Sequence, residues 1–424
     1  MEKIIVEKSQ PLVGTTFVST SKNAILPIIA ATLLTKEEVI ISKTPKFTDV
    51  DALLKVIKSF GAQVRREKDK LIICCKEITN CEAPFTSTKS LRASCLVLGP
   101  MLAREGCIRL PMPGGCQIGV RPIDLHLKGL KMLGARGVIL EGVVDARTKR
   151  LKGNRVYLDY PSVGATENIM SAAVLAQGTT VIENAATEPE IEDLACFLNK
   201  MGAKVSGAGS KSITIDGVKQ LHGCEYTPIP DRIEAGTLMV AAVATGGDVL
   251  LENCKQEHLV PVIAKLEEVG AKVSTKGRDM RVNGGKKVKH FEITSSPYPG
   301  FPTDMQAQMT ALACIGDGTS IITETVFENR FMHVGELIKM GADIKVDHRT
   351  AIIRSTKKFS GAKVCATDLR AGAALILAGL CAEGTTEIDN IHYIDRGYEH
   401  IELKLKSLGA PIKRINCYGE EYNE

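Results

Sequence analysis

Met132-Leu133-Gly134-Ala135 is one of six copies of a short signal in which a helix ends and a strand begins. In every copy an amphipathic stretch runs into Gly-Ala, and a short β-like segment follows. Glycine is typical of this place because it can end a helix in a left-handed backbone conformation. Successive glycines are 73, 68, 68, 71 and 68 residues apart, and this spacing predicts six repeated units. The glycines are Gly61, Gly134, Gly202, Gly270, Gly341 and Gly409.

Each unit repeats the same order of elements. A first helix of small and apolar residues, such as 238–244, is apolar nearly all round and should be buried. A glycine-rich turn, a short strand such as 249–252, a loop and a second, amphipathic helix follow, and one or two strands close the unit. Six such units predict an α/β fold of two domains with three units each. The boundary is expected near residues 226–230, where two prolines interrupt the pattern, and the N-terminal strand could pair with either domain.

Composition excludes several classes of protein. The 424-residue chain has a net charge of +5, 44% hydrophobic residues and only 4% aromatic residues, which argues against nucleic-acid binding. No apolar run reaches membrane-spanning length, and residues 1–6 predict a strand without the features of a signal peptide. The 13 cysteines are scattered and contain no Cys-x-x-Cys pair, which favours reduced thiols in a cytoplasm over disulfides or a metal site.

Residues 110–126 form an irregular stretch around Cys116. Its prolines and glycines predict a mobile, exposed loop, and Pro122 suits the first turn of a following helix. A thiol on such a loop beside a fixed cation, here Arg121, can have a lowered pKa and take part in chemistry. The alternative is an ordinary surface loop whose cysteine is incidental.

The repeat also aligns charged residues at helix starts. Basic residues oppose the positive N-terminal end of the helix dipole, so their recurrence there indicates a shared anion. Equivalent helix ends of the two domains would then line a strongly positive cleft with one embedded carboxylate, Asp304, suited to a substrate with several phosphates or carboxylates. The residues near first-helix starts are Lys22, Asn23, Arg92, Arg232, Asp304, Asp368 and Arg370, and those near second-helix starts are Arg121, Arg330 and Arg396.

Nine short motifs accompany the repeat, and they are spread along essentially the whole chain. They are Ser-Lys-Asn-Ala at 21–24, Leu-Arg-Ala-Ser at 91–94, Pro-Gly-Gly-Cys-Gln-Ile-Gly at 113–119, Arg-Pro-Ile-Asp-Leu-His at 121–126, Ser-Val-Gly-Ala-Thr at 162–166, Tyr-Pro-Gly-Phe-Pro-Thr-Asp at 298–304, Phe-Glu-Asn-Arg at 327–330, Asp-Leu-Arg at 368–370 and Asp-Arg-Gly-Tyr-Glu at 395–399. With these motifs the chain resembles the enolpyruvyl transferase family. The resemblance implies two inverse α/β barrels, with helices inside and sheets outside. It also implies that residues 1–20 join 230–424, while 21–229 form the domain that carries the Cys116 loop.

The resemblance further implies the reaction. The enolpyruvyl group of phosphoenolpyruvate would pass to the 3′-hydroxyl of UDP-N-acetylglucosamine with release of phosphate, the first committed step of peptidoglycan precursor synthesis. No cofactor or metal is implied. Cys116 would be the general acid and could form a covalent phosphoenolpyruvate adduct, or one with the phosphonate epoxide fosfomycin, and Asp304 would be the base.

Substrate-binding residues are implied in the same way. Lys22, Arg121 and Arg396 would hold phosphoenolpyruvate, with Arg92 and Arg370 lining the same cleft. Asn23 and Val326 would contact the sugar. The uridine diphosphate portion would lie on Arg121, Pro122, Ile123, Asp124, Leu125, Ser162, Val163 and Gly164, and Arg330 and Asp368 complete the set. The chain departs from the family at Thr48 and Tyr160, where a lysine is often found in or beside these positions.

Two other functions are compatible with the resemblance. One is enolpyruvyl transfer to shikimate 3-phosphate, although that branch does not carry this cysteine loop. The other is a non-catalytic UDP-sugar-binding paralogue that regulates a partner, although Cys116, Asp304 and Arg396 argue for catalysis. In every case the expected ligands are small molecules.

Overall fold

The structure is a computed structural model that describes residues 2–85, 88, 91–112, 123–356, 359–416 and 420–421. These residues cluster into two compact units. Residues 20–112 and 123–229 form one, called here the N-unit, and residues 2–19 with 230–421 form the other, the C-unit.

Twelve α-helices occur in these described ranges. They are α1 Lys22–Ala31, α2 Thr48–Ser59, α3 Leu98–Arg104, α4 Asp124–Met132, α5 Val163–Ala173, α6 Pro189–Lys200, α7 Arg232–Thr245, α8 Val260–Glu268, α9 Gln306–Ile315, α10 Val334–Lys339, α11 Leu369–Cys381 and α12 Ile401–Ser407. Short 3-10 helices lie at Thr32–Leu34, Arg92–Val97, Gln256–His258, Thr303–Met305 and Ile391–Arg396. The described helices include none long and apolar enough to cross a membrane.

The strands of the described ranges are short and fall into six small sheets. In the N-unit they are β3 Glu38–Ile41, β4 Gln63–Glu67, β5 Lys70–Cys74, β6 Cys107–Pro111, β7 Arg136–Leu140, β8 Val143–Arg147, β9 Arg155–Tyr157, β10 Thr179–Glu183, β11 Lys204–Ser206, β12 Ser212–Asp216 and β13 Glu225–Tyr226. In the C-unit they are β1 Lys3–Glu7, β2 Val13–Phe17, β14 Asp248–Glu252, β15 Lys272–Lys276, β16 Asp279–Asn283, β17 Glu292–Thr294, β18 Thr319–Thr323, β19 Asp343–Asp347, β20 Thr350–Arg354, β21 Lys363–Cys365, β22 Thr385–Asp389 and β23 Ile412–Ile415.

The six Gly-Ala signals end helices α2, α4, α6, α8, α10 and α12, as predicted. All six glycines have φ between +92° and +113°, a left-handed region that side chains larger than hydrogen rarely adopt. In the first copy the Gly61 N–H donates to Lys58 and the Ala62 N–H donates to Ile57, which satisfies two carbonyls at the end of the helix. The helix stop and the next strand therefore follow from the same two residues.

The N-unit and the C-unit each have three central helices with sheets around them. Helices α1, α3 and α5 are the central helices of the N-unit, and α7, α9 and α11 those of the C-unit. All but one of the 13 residues of α11 are buried, because small and apolar side chains cover its whole circumference. The second helices are amphipathic and bury one face only. The predicted α/β class, with buried helices and outer sheets, is confirmed.

Five of the six sheets have the same four-strand plan. A strand that follows a central helix pairs in parallel with one neighbour and antiparallel with the other, as β18 does with β17 and β20. Strand β1 takes the antiparallel place between β22 and β23, and β2 pairs in parallel with β14, so residues 3–17 complete two sheets of the C-unit. The sixth sheet, β6-β8-β7, has three strands, and a single parallel bridge from Glu82 to Arg109 stands where the fourth would be.

Candidate active site

Three charged side chains meet at the helix starts of the C-unit. Asp304 lies in the 3-10 helix before α9, Arg330 in the turn before α10, and Arg370 in the first turn of α11. Asp304 Oδ1 is 2.8 Å from Arg330 Nη2, and Asp304 Oδ2 accepts from Arg370 Nη2 at 2.9 Å and from Arg370 Nε at 3.3 Å. The carboxylate is therefore held on both oxygens by planar guanidinium groups.

Burial makes this cluster electrostatically strong. The side chains of both arginines are 3% exposed, whereas that of Asp304 is 25% exposed. Burial alone would raise the pKa of Asp304, but the positive charges of Arg370 and Arg330 outweigh it and hold that pKa well below its usual range. Asp304 is thus an ionised carboxylate with a partly accessible surface.

Neighbouring polar groups hold the cluster in place. Thr303 Oγ1 accepts from Arg330 Nη1 at 3.1 Å and donates to Glu324 Oε2 at 2.8 Å. The other carboxylate oxygen of Glu324 accepts from the N–H groups of Val326 and Phe327 at 2.7 and 3.1 Å. Glu324 thereby connects the segment at Val326, an expected sugar contact, through Thr303 to Arg330.

The other expected C-unit residues lie at helix ends. Asp368 is the N-cap of α11, and its Oδ1 accepts from the N–H groups of Arg370 and Ala371 at 2.9 and 3.1 Å. This cap fixes the backbone from which Arg370 projects. Arg396 is the last residue of the 3-10 helix Ile391–Arg396 and is half-buried, and Arg232 is the first residue of α7.

In the N-unit an ion pair joins the starts of two helices. Lys22, the first residue of α1, places Nζ 2.9 Å from Oδ2 of Asp49, the second residue of α2. The two side chains are 14% and 6% exposed. Asn23 follows Lys22 on α1, and Arg92 begins the 3-10 helix Arg92–Val97; both are half-buried.

His126 lies in a buried polar cluster between α4 and α5. Asn168 Oδ1 accepts from the N–H of Gly99 at 2.8 Å, so its amide nitrogen faces the Cys95 carbonyl at 3.0 Å and His126 Nδ1 at 2.8 Å. His126 Nδ1 must then accept, which places the ring proton on Nε2. Burial, with a smaller contribution from Arg92, lowers the pKa of His126 to about 4. His126 is therefore a buried, neutral histidine whose ring is held by Asn168.

The expected nucleotide-binding residues of the N-unit surround this cluster. Ser162 is the N-cap of α5 and accepts from the Ala165 N–H at 3.4 Å, and Val163 and Gly164 form the first turn. A Cβ on Gly164 would lie 3.0 Å from His126 Cε1, so the first turn packs directly on the imidazole. At the start of α4, Ile123 is buried, Asp124 is exposed and Leu125 is half-buried. Cys116, Arg121 and Pro122 lie outside the described residues.

Three residues that the sequence did not single out support these groups: Asp49, Asn168 and Glu324. Acidic residues are common in the first turn of a helix for dipole reasons alone, so Asp49 carried no distinct signal. Asn168 and Glu324 act through long-range contacts that no local pattern reveals. The described ranges contain no cluster of three or more His, Cys, Asp or Glu side chains able to hold a metal ion.

Comparison with known proteins gives a consistent result. The family model described as EPSP synthase (3-phosphoshikimate 1-carboxyvinyltransferase) matches residues 6–405. UDP-N-acetylglucosamine 1-carboxyvinyltransferase 1 of Caldanaerobacter subterraneus subsp. tengcongensis is 58% identical over 97% of this chain and 99% of that protein. UDP-N-acetylglucosamine 1-carboxyvinyltransferase 2 of Carboxydothermus hydrogenoformans is 54% identical over 98% of this chain and 100% of that protein.

Solved structures share the fold. The enolpyruvyl transferase NikO from Streptomyces tendae superposes with a TM-score of 0.87 at 24% identity, over 97% of this chain and 98% of that one. EPSP synthase from Acinetobacter baumannii gives a TM-score of 0.77 at 18% identity, over 98% of this chain and 100% of that one. Since the sequence relatives match nearly end to end and the family model spans both units, the chain belongs to the enolpyruvyl transferases of the EPSP synthase family, in the branch of the UDP-N-acetylglucosamine 1-carboxyvinyltransferases.

Proposed function

We propose that this chain transfers the enolpyruvyl group of phosphoenolpyruvate to the 3′-hydroxyl of UDP-N-acetylglucosamine and releases phosphate. The observation that carries the proposal is the ionised carboxylate of Asp304, which is fixed between Arg330 and Arg370. The proposal is also supported by the 58% identity of the chain to a UDP-N-acetylglucosamine 1-carboxyvinyltransferase. This reaction would be the first committed step of peptidoglycan precursor synthesis.

The reaction needs a proton donor and a proton acceptor. The Cys116 thiol gives its proton to the CH₂ carbon of phosphoenolpyruvate, and cationic character develops at C2. The 3′-hydroxyl oxygen bonds to C2, and its proton passes to the Asp304 carboxylate. The C2–O bond to phosphate then breaks, while the Cys116 thiolate takes a proton back from the new methyl group and the vinyl group is restored. The proton on Asp304 passes to the departing phosphate, directly or through solvent, which regenerates the carboxylate and closes the cycle without a cofactor.

The low pKa of Asp304 indicates the order of events. A carboxylate held by Arg370 and Arg330 is too weak a base to ionise a free hydroxyl. A hydroxyl oxygen that has begun to bond to cationic C2 becomes strongly acidic, and a weak base then suffices. We infer that bond formation at C2 precedes proton transfer to Asp304, and that the arginines keep the acceptor ionised and oriented.

The remaining residues are proposed to bind substrate. Lys22, Arg121 and Arg396 would hold the carboxylate and phosphate of phosphoenolpyruvate, with Arg92 beside them. Lys22 is paired with Asp49, and its ammonium group, carried on a flexible stem, can also turn toward a ligand phosphate. Asn23 and Val326 would contact the sugar, and the turns 121–125 and 162–164 would hold the nucleotide.

A cytoplasmic location fits this function. Eleven of the 13 cysteines lie in the described ranges, and no disulfide joins any two of them. So many cysteines without a disulfide among them are typical of a reducing compartment.

A phosphate-release assay tests the proposal. The protein is incubated with phosphoenolpyruvate and either UDP-N-acetylglucosamine or shikimate 3-phosphate. We expect turnover with the nucleotide sugar and none above background with shikimate 3-phosphate. Turnover with shikimate 3-phosphate alone would favour the other branch, and binding of the nucleotide sugar without phosphate release would favour a regulatory paralogue.

A further inference from the structure

A buried polar layer lies next to Asp304 in the core of the C-unit. It contains Thr237 of α7, Gln308 of α9, Arg370 of α11, and Tyr398, which follows the 3-10 helix Ile391–Arg396. These residues are between 0% and 2% exposed. The layer therefore contains a residue from each of the three central helices of the C-unit, and one of these residues is Arg370, which binds Asp304.

Hydrogen bonds fix the Tyr398 ring from two sides. Thr237 Oγ1 donates its single proton to the Ile233 carbonyl at 2.8 Å, so the Tyr398 hydroxyl, 2.9 Å away, must donate to Thr237. Gln308 Nε2 donates to Thr237 Oγ1 at 3.1 Å and faces the Tyr398 oxygen at 3.4 Å. The phenol is thus anchored to α7 and α9.

The anchored ring in turn contacts Arg370. The guanidinium carbon of Arg370 lies 5.5 Å from the centre of the Tyr398 ring, within the range of a cation–π interaction. The edge of the same guanidinium carries the two bonds to Asp304 Oδ2. Because a guanidinium group is planar and rigid, contact with the Tyr398 ring together with the two bonds to Asp304 restricts its orientation.

Stability alone does not explain this layer. The Gln308 side-chain oxygen is buried and finds no hydrogen-bond partner among the residues that the structure describes, which is unfavourable. An apolar layer of equal volume would avoid that cost. A polar layer is useful where an orientation has to be fixed, and the group it reaches is Arg370.

We propose that Tyr398 is a positioning residue that orients Arg370, and through it the proton-accepting carboxylate of Asp304. This inference rests on the proposed function for the role of Asp304, but the orientation itself is a property of the ligand-free protein. A loosened Arg370 weakens its pairing with Asp304, so the pKa of Asp304 rises and the acid limb of the pH–rate profile moves to higher pH.

Other charged groups face the pair and have to stay unchanged in the comparison. Arg330, from the turn before α10, holds the second oxygen of Asp304. The charged or titratable groups around Arg330 and Arg370 are Asp231 at the start of α7, His333 before α10 and Asp368 at the start of α11.

Two variants and two matched controls test the proposal. Tyr398→Leu removes the ring, and Tyr398→Phe keeps the ring but removes the hydroxyl. Tyr226 of the N-unit provides the controls Tyr226→Leu and Tyr226→Phe, because its hydroxyl donates to Asp193 Oδ1 at 2.7 Å and its ring packs edge-on against Phe197. The readouts are kcat, KM, melting temperature and the titration of the Asp304 carboxyl carbon by NMR, with the signal assigned by its loss in Asp304→Asn.

We expect Tyr398→Leu to lower kcat about tenfold, the size of one cation–π interaction, with little change in KM for the nucleotide sugar. Its Asp304 titration should move to higher pH. Tyr398→Phe should recover most of kcat, and the Tyr226 variants should lower the melting temperature without changing kcat. Equal kcat and an unmoved Asp304 titration in Tyr398→Leu and Tyr226→Leu would overturn the proposal.

Two outcomes need separate readouts. If Tyr398→Leu does not fold, Thr237→Val removes the anchor at nearly constant volume, and the same shift of the Asp304 titration is expected; no shift would overturn the proposal. If the wild-type protein shows no transfer to UDP-N-acetylglucosamine, the proposed function fails, while the NMR titration still decides whether Tyr398 orients Arg370.

Discussion

The N-unit and the C-unit each pair a carboxylate with positive charge at their helix starts, but in different ways. Asp304 of the C-unit is bonded on both oxygens by two rigid guanidinium groups, whereas Asp49 of the N-unit faces the single ammonium group of Lys22. A guanidinium fork fixes a carboxylate in place, while an ammonium group on a flexible stem can move to another anion. The difference indicates that the C-unit presents a fixed carboxylate and the N-unit presents movable groups.

The largest expected effect comes from replacing Cys116, the proposed proton donor that works together with the fixed carboxylate of Asp304. Cys116→Ala removes the proposed proton donor and should lower kcat by about 10³-fold, within the range of general acid catalysis. Cys116→Asp should retain activity because a protonated carboxyl group can also donate. Cys196→Ala, at an exposed cysteine of the N-unit, is the control and should leave kcat unchanged. Full activity in Cys116→Ala would remove the thiol from the mechanism.

Thiol labelling gives a second view of the same residue. A phosphonate epoxide should add to Cys116 alone, faster when UDP-N-acetylglucosamine is present. Burial raises the pKa of Cys254, Cys314 and Cys381 to about 12, so these thiols are poor nucleophiles. Peptide mass spectrometry that found the label spread over several cysteines would contradict this assignment.

The next effect compares the two carboxylates directly. Asp304→Asn should lower kcat by about 10²-fold while both substrates still bind, because the proton acceptor is lost. Asp49→Asn should leave kcat within a few-fold and act mainly on KM for phosphoenolpyruvate, because it removes the negative charge that faces the Lys22 ammonium group. Single-turnover kinetics separate the two. Near-normal chemistry in Asp304→Asn would exclude it as the proton acceptor.

A stability effect tests whether His126 is structural. Its pKa of about 4 in the folded protein lies below the value of about 6.5 in the unfolded chain, because burial disfavours the charged ring. Between these values the unfolded chain binds more protons, so the free energy of unfolding falls as pH falls, by about 3 kcal/mol in total. In His126→Asn this pH-dependent contribution to the free energy of unfolding is absent. Denaturation at pH 7 and pH 4 should show its stability deficit shrinking at acid pH, and a constant deficit would contradict the assignment.

The smallest effect concerns the contact between Gly164 and His126. Gly164→Ala places a Cβ 3.0 Å from a ring that Asn168 holds in place, and should cost about 1–3 kcal/mol of stability. Gly335→Ala in α10 is the matched control, and it should be neutral or stabilising. Apart from its chain neighbours and the backbone of its own helix, no described atom lies within 4 Å of the added Cβ. Thermal melts of both variants measure the difference, and equal melting temperatures would contradict the close packing.

The sequence predicted those features that depend on local chemistry. The six Gly-Ala stops fixed the repeat because each glycine adopts positive φ, and the apolar first helices identified the core. The alignment of charges placed Asp304 and Arg370 at first-helix starts and Arg330 at a second-helix start, and the structure brings the three within bonding distance. Glu324, Asn168 and Tyr398 could not be found in this way, because each acts through partners far away in the chain.

Product analysis in D₂O tests the central claim most directly. If the Cys116 thiol donates a proton to the CH₂ carbon before phosphate leaves, solvent hydrogen enters a transient methyl group and part of it remains in the product. The account predicts that UDP-N-acetylglucosamine gains one enolpyruvyl group with deuterium on its vinyl carbon, and that one phosphate is released per product. A product without deuterium, or no product from UDP-N-acetylglucosamine, would contradict it.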